Sequence, residues 1–273
     1  MLECSVIATD LDGTLLGRGR LLTERTRKAL IAARERGIAV VAATARTPRG
    51  LAAVPGLAET VDAAICNNGA ILYEPSTGAV DVRRTIDADA VRLLHERLLT
   101  ALPDASFAIE SGTAVYAQAA HIPSRPDYDD PWHRVDTLDA ALAAAGRVVE
   151  YRLLDRETGP AGMLAAAGHV TVPGVVQWTW RDYPVFEYNA EGVSKGGALA
   201  EWCAERGIGP ASVTAFGDAA NDVPMLAWAG RSYAMAGAPP EVAAAADLRA
   251  PANTEDGVAQ VIEALLEPFA PPV

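Results

Sequence analysis

The sequence has few cysteines, few histidines and no long uncharged apolar run. Its three cysteines are odd in number and widely spaced, without the paired pattern of a zinc site, and they suit a reducing compartment. None of its four histidines lies beside a candidate motif, which argues against a catalytic triad or a histidine-rich metal centre. No apolar run approaches the roughly 18 residues of a membrane-spanning helix, and the apolar segment near the start is too short for a signal peptide. We therefore expect a cytoplasmic protein without a membrane partner.

Basic residues are also scarce relative to acidic ones. There are 23 Lys and Arg against 35 Asp and Glu, which gives a formal net charge of −12. Nucleic acids and anionic lipids bind through clustered Lys and Arg, so neither is an expected partner. Small anions remain possible partners, because a bound cation and a few local donors can reverse the potential within one pocket.

The length and the hydrophobic pattern indicate two domains. At roughly one domain per 150 residues, a chain of 273 residues suits two. Short apolar strands alternate with helical segments in residues 1–80 and again in 187–273, which is typical of an α/β core with a doubly wound, Rossmann-like parallel sheet. Residues 81–186 carry a mixture of strand-like and helix-like stretches instead. We interpret them as an inserted α+β domain.

Four carboxylates follow strands of the predicted core. Asp10 and Asp12 end the first apolar run, and Asp218 and Asp222 follow another. Because the carboxyl ends of parallel strands meet at one crevice, these side chains are expected to crowd together. A divalent cation would relieve their repulsion, and carboxylate oxygens suit Mg²⁺. A lone Asp-x-Asp-Gly would more often be a capped turn, but the second acidic group favours a metal site.

Two further residues indicate an anion site. Thr44 follows the second strand, where a hydroxyl and a backbone amide can hold a phosphate at a helix N-terminus. Lys195 lies in the first turn of a predicted helix, where a cation opposes the helix dipole and an anionic neighbour would compensate. The simpler alternatives are that Thr44 only ends its strand and that Lys195 is a solvated surface charge.

Together these residues form four ordered motifs. They are Asp10-Leu11-Asp12-Gly13-Thr14, Thr44 with Arg46, Ser194-Lys195-Gly196, and Gly217-Asp218 followed by Asn221-Asp222. The set resembles the haloacid dehalogenase (HAD) superfamily and is most similar to its Cof-type phosphatases. The resemblance covers the core, about 1–78 and 189–273. It implies that the insertion between the second and third motifs is the larger cap of that group, a domain that determines substrate specificity.

The resemblance implies a Mg²⁺-dependent phosphatase that acts on a small phosphorylated metabolite, with a sugar phosphate as the expected class. Asp10 would attack phosphorus and become an aspartyl phosphate, while Asp12 would protonate the leaving oxygen and then activate water. Asp12 would also offer its backbone carbonyl to the metal, and Asp222 would orient the ligand shell. The implied sets are catalytic Asp10, Asp12, Thr44 and Lys195; phosphate-binding Thr44, Arg46, Lys195 and Asn221; and metal-binding Asp10, Asp12, Asp218 and Asp222.

Two other functions remain open from the sequence. A phosphomutase would use the same chemistry and return the phosphate to an organic hydroxyl. A phospho-receiver-like switch would also place acidic residues, a Thr and a Lys around Mg²⁺, although Asp12 and the large insertion disfavour it. A dehalogenase is disfavoured because its chemistry needs neither Asp12 nor a metal. Both a monomer and a homodimer are compatible with the sequence.

Overall fold

The chain forms two compact units in a computed structural model that describes residues 4–124, 131–180 and 183–267. One unit comprises residues 1–80 and 194–273, and the other comprises residues 81–193. Among the described residues, no helix combines the length and the apolar character needed to cross a membrane.

The first unit begins with alternating strands and helices. Thr23 caps the first helix by accepting a hydrogen bond from the backbone of Thr26, and Thr47 caps the second, whose first residue is Pro48. Gly37 follows the first helix with a φ of +77°. The elements of this part are β1 (Val6–Thr9), α1 (Glu24–Glu35), β2 (Ala39–Ala43), α2 (Pro48–Ala52), β3 (Ala63–Cys66), β4 (Ile71–Glu74) and β5 (Ala79–Val82).

The second unit has its own sheet of six strands, in the order β10-β11-β9-β6-β7-β8. Three buried rings on adjacent strands, Phe107, Tyr151 and Tyr188, pack against one another with centroid distances of 6.3 and 6.0 Å. The unit is α+β. Its elements are α3 (Ala88–Ala101), β6 (Ser106–Glu110), β7 (Val115–Ala117), β8 (Trp132–Arg134), α4 (Leu138–Ala145), β9 (Glu150–Leu154), α5 (Gly159–Ala167), β10 (Val175–Thr179) and β11 (Val185–Ala190).

The second unit extends further than the sequence indicated. A boundary at residue 186 falls inside β11, which pairs with β9 on one side and β10 on the other. Phe186 and Tyr188 of this strand belong to the buried core of the unit. The boundary therefore lies after Val193.

The chain then returns to the first unit. Ser194 caps the first of these helices by accepting a hydrogen bond from the N–H of Gly197 at 3.0 Å. The elements are α6 (Lys195–Ala204), β12 (Val213–Gly217), α7 (Val223–Trp228), β13 (Arg231–Met235), α8 (Pro240–Ala245), β14 (Leu248–Ala250) and α9 (Gly257–Leu266).

The sheet of the first unit has eight strands in the order β14-β13-β12-β1-β2-β3-β4-β5. All neighbouring pairs from β14 to β3 are parallel, so these six strands end at the same edge. β1 lies at the centre, where Ala8 is opposite Val41 of β2 and Ala215 of β12. The residues that follow β1, β2, β3 and β12 are consequently brought close to one another.

Both faces of the central strands are buried. Val6 and Ala8 belong to a core cluster with Leu199 of α6 and Met225 of α7. Ile7, which alternates with them, is fully buried as well, and α1 packs against β2. Burial on both faces explains why these strands appear in the sequence as nearly continuous apolar runs. The doubly wound core that the sequence predicted is confirmed.

One edge of this sheet differs from the prediction of a parallel sheet. β4 pairs antiparallel with β3, with Leu72 opposite Ile65. The chain reverses between them in a short turn at Asn67–Gly69. β5 is largely exposed and therefore lacks the apolar pattern that marks the buried strands. The sheet is thus mixed, with two strands that the hydrophobic pattern did not predict.

Candidate active site

Three carboxylates meet at the carboxyl edge of the central strands. Asp10 directly follows β1, Asp218 directly follows β12, and Asp222 comes four residues later. One oxygen of each lies within 4.8 Å of the others. Asp10 and Asp222 are buried. The structure thus brings together three of the four aspartates that the sequence proposed as metal ligands.

Lys195 is the cation among these carboxylates. It is the first residue of α6 and only 1% exposed. Its Nζ donates to Oδ1 of Asp10 and to Oδ1 of Asp222, both at 2.6 Å. The alternative of a solvated surface lysine is therefore wrong. We call Asp10, Asp218, Asp222 and Lys195 the acidic cluster; its three carboxylates and one ammonium carry a net charge of −2 when all are ionised.

The pKa values of the cluster reflect this excess of negative charge. Burial raises the pKa of Asp10 well above its usual value, and Asp222 and Asp218 add to the effect although Lys195 opposes it. Burial also raises the pKa of Asp218 to about 6. Burial alone would lower the pKa of Lys195, but Asp10 and Asp222 outweigh it and the pKa is raised. Lys195 therefore stays protonated. Its single positive charge leaves the three carboxylates with an excess of negative charge.

Small residues let the loops of the site approach one another. A Cβ on Gly13, which has a φ of +91°, would lie 2.4 Å from Oδ2 of Asp218. The next residue, Thr14, donates its hydroxyl to Oδ1 of Asp218 at 2.7 Å. A Cβ on Gly196 would lie 2.4 Å from the carbonyl oxygen of Pro224, where α7 begins. Larger residues at either glycine would force these segments apart.

The oxygens of the cluster are not equally available to a metal ion. Both oxygens of Asp222 are engaged, Oδ1 by Lys195 and Oδ2 by the backbone N–H groups of Asp218 and Ala219, each at 2.9 Å. Asp10 and Asp218 each have one oxygen that none of these bonds uses. A divalent cation there would offset the net charge of −2. These residues therefore fit a hard divalent cation, with Asp10 and Asp218 as side-chain ligands and Asp222 in a supporting position.

The carboxylate of Asp12 is not part of the acidic cluster. It accepts two hydrogen bonds from Arg46, from Nε at 2.6 Å and from Nη2 at 2.7 Å. Arg20 lies 3.8 Å from the same carboxylate, and Arg46 also donates to the carbonyl oxygen of Gly50 at 3.1 Å. A two-point guanidinium–carboxylate pair fixes the orientation of the carboxylate. Arg46 thus has a partner that the sequence did not predict.

Thr44 and Asn221 are both buried at the same edge. The hydroxyl oxygen of Thr44 accepts a hydrogen bond from the backbone N–H of Arg46 at 3.0 Å, and no acceptor for its hydrogen lies among the described residues. Its own backbone N–H is used by the carbonyl oxygen of Ile65. Nδ2 of Asn221 donates to Oδ1 of Asn68 at 2.9 Å. Thr44 can therefore offer a hydroxyl to a bound anion, but not its own backbone amide.

Two residues of this edge, Thr14 and Asn68, had no role assigned from the sequence, although Thr14 stands in the first motif. Thr14 binds Asp218, and Asn68 binds Asn221. A signal for Asn68 was present, because Asn67-Asn68-Gly69 follows a third buried strand and parallel strands end at one crevice. For Thr14 the first motif gives the residue but not its partner, Asp218, which is 204 residues away.

Two bacterial phosphatases are similar to this chain along nearly its whole length. The chain is 29% identical over 269 residues to the pyridoxal phosphate phosphatase YbhA of Escherichia coli (strain K12), which covers 94% of this chain and 97% of that protein. It is 27% identical over 270 residues to the 5-amino-6-(5-phospho-D-ribitylamino)uracil phosphatase YcsE of Bacillus subtilis (strain 168), with 95% of each chain covered. The similarity extends across both units.

The fold is similar to that of a solved structure described as the HAD subclass IIB sugar phosphatase BT4131. The TM-score is 0.74 at 21% identity, and the match covers 96% of this chain and 98% of that one. At this identity the likeness concerns the fold alone. The family model of haloacid dehalogenase-like hydrolases matches residues 7–262, a range that contains the whole acidic cluster and the whole second unit. The chain therefore belongs to the haloacid dehalogenase-like hydrolase family.

Proposed function

We propose that this chain is a Mg²⁺-dependent phosphatase that hydrolyses a small phosphorylated metabolite, of the sugar phosphate class, through an aspartyl phosphate on Asp10. Phosphoric monoester hydrolysis follows from the family and from two relatives that are named phosphatases. The observation that carries the chemistry is the buried pair of Asp10 and Lys195 beside Asp218. In this arrangement the ammonium of Lys195 holds one oxygen of the Asp10 carboxylate, and the neighbouring carboxylate of Asp218 is available to a cation.

In this proposal Asp10 is the nucleophile. Its Oδ1, which Lys195 contacts at 2.6 Å, attacks phosphorus, forms a P–O bond and displaces the leaving oxygen, while the other oxygen stays available to the cation. Asp12, once it is protonated on an oxygen that leaves its bond to Arg46, gives that proton to the leaving oxygen. It then takes a proton from the water that attacks phosphorus and breaks the bond to Asp10, which releases inorganic phosphate. Thr44 and Lys195 donate hydrogen bonds to the transferring phosphoryl group.

The metal has one part in the proposal. Asp10 and Asp218 would hold Mg²⁺ through their side chains and Asp12 through its backbone carbonyl. When bound, Mg²⁺ supplies the positive charge that offsets the cluster and lets an anionic phosphate approach an anionic nucleophile. Asp222 fixes Lys195 through Oδ1 and the backbone N–H groups of Asp218 and Ala219 through Oδ2.

The proposal extends to the substrate class and to the role of the second unit. The fold neighbour is described as a sugar phosphatase, and the sugar phosphate class proposed for this chain is compatible with that description. The second unit would be the cap that selects the substrate, as its position in the chain between the second and third motifs indicates. A cytoplasmic location and a monomeric or homodimeric state stay predictions.

The proposal is tested by measuring phosphate release from sugar phosphates, pyridoxal phosphate and other small phosphate esters, with Mg²⁺ and with a chelator. We expect turnover that depends on Mg²⁺ and returns when Mg²⁺ is added after chelation. Activity that survives complete chelation would contradict the metal requirement. Phosphate transferred to another hydroxyl of the substrate, without free phosphate, would indicate a mutase. One long-lived phosphoryl group per chain without turnover would indicate a switch.

Replacing Arg46 with Lys tests whether this residue orients Asp12 or binds the substrate. Lys retains the positive charge but cannot make the two-point contact that Nε and Nη2 make with Asp12. We expect kcat to fall about tenfold with KM nearly unchanged, because the acid–base carboxylate loses its fixed orientation. Steady-state kinetics on the best substrate of the screen measure both constants. A large rise in KM with an unchanged kcat would show instead that Arg46 binds the substrate.

A further inference from the structure

The turn that follows β3 has an unusual backbone. Asn67, Asn68 and Gly69 have positive φ angles of 48°, 58° and 117°, and all three residues are buried. Asn is one of the few residues other than Gly that adopt this conformation with little strain. Such conformations persist where surrounding contacts hold them, and they cluster at functional sites. The contacts that hold this turn therefore indicate which parts of the site it serves.

The backbone of the turn is bound to the segment that carries Thr44. The N–H of Asn68 donates to the carbonyl oxygen of Thr44 at 3.0 Å, and the N–H of Asn67 donates to the carbonyl oxygen of Arg46 at 3.0 Å. Two consecutive bonds fix the turn against the end of β2. The turn thus has a defined position relative to the proposed phosphate-binding hydroxyl.

The third residue of the turn lies against the start of α6. A Cβ on Gly69 would lie 2.5 Å from the carbonyl oxygen of Ser194, which is the N-cap of the helix that begins with Lys195. Only glycine permits this approach without displacement of one segment. The turn therefore contacts the segments of the second and the third sequence motifs.

The side chain of Asn68 reaches the fourth motif. Its Oδ1 accepts a hydrogen bond from Nδ2 of Asn221 at 2.9 Å, and both side chains are buried. Asn221 directly precedes Asp222, which binds Lys195. Oδ1 of Asn221 is buried and has no hydrogen-bond partner among the described residues. A buried acceptor without a partner is unfavourable unless a ligand or water satisfies it.

We propose that Asn68 is a positioning residue of the active site, which fixes the amide of Asn221, and with it the loop 218–222, relative to Thr44 and Lys195. The inference rests on the proposed phosphatase function. Asn68 acts through Asn221, because the bond to Nδ2 determines which way the carboxamide points and leaves Oδ1 available for a hydrogen-bond donor in the site. The turn thereby joins three loops that come from distant parts of the sequence.

A double-mutant cycle between Asn68→Gly and Asn221→Ala tests this inference. Gly keeps the left-handed backbone of the turn and the N–H that binds Thr44, and removes only the side chain. We expect each single variant to lower kcat by about 10- to 100-fold with little change in KM, because loops misplaced by a fraction of an ångström retard the chemical step. The kcat of the double variant should be at most about twofold lower than that of Asn221→Ala alone. If the losses of kcat in the two single variants multiplied in the double variant, the inference would be overturned.

A matched control is a buried asparagine of the second unit. Nδ2 of Asn189 donates to the carbonyl oxygen of Val149 at 3.1 Å. Its replacement by Ala removes a comparable buried amide, so combining it with Asn221→Ala should give effects that multiply. If Asn189→Ala showed the same coupling to Asn221→Ala, the coupling of Asn68 would reflect a general loss of stability. The positioning role would then be refuted.

A readout independent of activity separates failure of this inference from failure of the proposed function. In the NMR spectrum, the side-chain amide of Asn221 should exchange slowly with solvent in the wild type and faster in Asn68→Gly. Fast exchange in the wild type would refute the bond even if no phosphatase activity is found. Loss of the bond with an unchanged kcat would show that Asn68 is only structural. Should Asn68→Gly unfold, Asn68→Ala removes the same acceptor with a stiffer backbone.

Discussion

The Asp10→Asn variant is expected to lose phosphate release by about 10⁴-fold or more in kcat while keeping its fold. An amide nitrogen has no free lone pair for attack on phosphorus, and the remaining amide oxygen is a poor nucleophile. The carbonyl of Asn can still accept the hydrogen bond that Lys195 gives to Asp10 at 2.6 Å. The geometry of the site is thus retained and only the attacking group is lost.

The stability of Asp10→Asn carries separate information. The acidic cluster carries a net charge of −2 when all its groups are ionised, and the substitution removes one negative charge from it. Without metal, we therefore expect the variant to unfold at a temperature no lower than the wild type does. Added Mg²⁺ should stabilise the wild type more than the variant. Thermal unfolding with and without Mg²⁺ measures both effects.

A matched control is Asp247→Asn. Asp247 precedes β14, at the opposite edge of the parallel strands, and accepts hydrogen bonds from the N–H and the hydroxyl of Ser232 at 2.9 and 3.0 Å. Its replacement should lower stability slightly and leave kcat within about twofold. If Asp10→Asn and Asp247→Asn both kept near-normal turnover, Asp10 would not be the nucleophile.

Replacing Lys195 with Met is the second change with a large expected effect. Met fills a similar volume but donates no hydrogen bond, so Asp10 and Asp222 lose the ammonium that both bind at 2.6 Å. Removing one partner of a buried ion pair costs about 3 kcal/mol or more of folding free energy. We also expect kcat/KM to fall about 10³-fold in the fraction that remains folded, because the phosphoryl group loses a charged donor.

The two effects of Lys195→Met are distinguished by measuring the folded fraction and the activity on the same samples. Circular dichroism at increasing urea gives the stability, and kinetics in the absence of urea are corrected for unfolded protein. Lys28→Met is the matched control, because Lys28 is exposed on α1 and lies 3.6 Å from Glu24. A loss of activity that the unfolded fraction fully explains would show that Lys195 is a structural lysine.

The buried part of the fold could be predicted because local signals and long-range packing agree there. β1, β2 and β12 are almost entirely apolar because both faces of the sheet are covered. The caps at Thr23 and Thr47 depend on side-chain chemistry within three residues. β5 gave no such signal, because its residues are exposed. The end of the second unit was placed too early because pairing with β9 and β10, rather than a local breaker, decides where β11 belongs.

The sequence sufficed to predict which residues gather at the candidate site, but not which side chains bind each other there. The rule that parallel strands end at one crevice suffices to gather Asp10 and Asp218. It gives no information on which cation faces which anion. Arg46 binds Asp12 across 34 positions and Asn68 binds Asn221 across 153, and both bonds depend on side-chain directions that no local pattern encodes. The bond from Lys195 to both Asp10 and Asp222 is a further case.

The central position of β1 has a consequence for how the chain is made. β1 pairs on one side with β2, which is synthesised soon after it, and on the other with β12, which leaves the ribosome some two hundred residues later. Until then one side of an apolar strand has unpaired backbone groups, and such an edge invites association with other chains. The second unit has a sheet of its own and can fold in the interval.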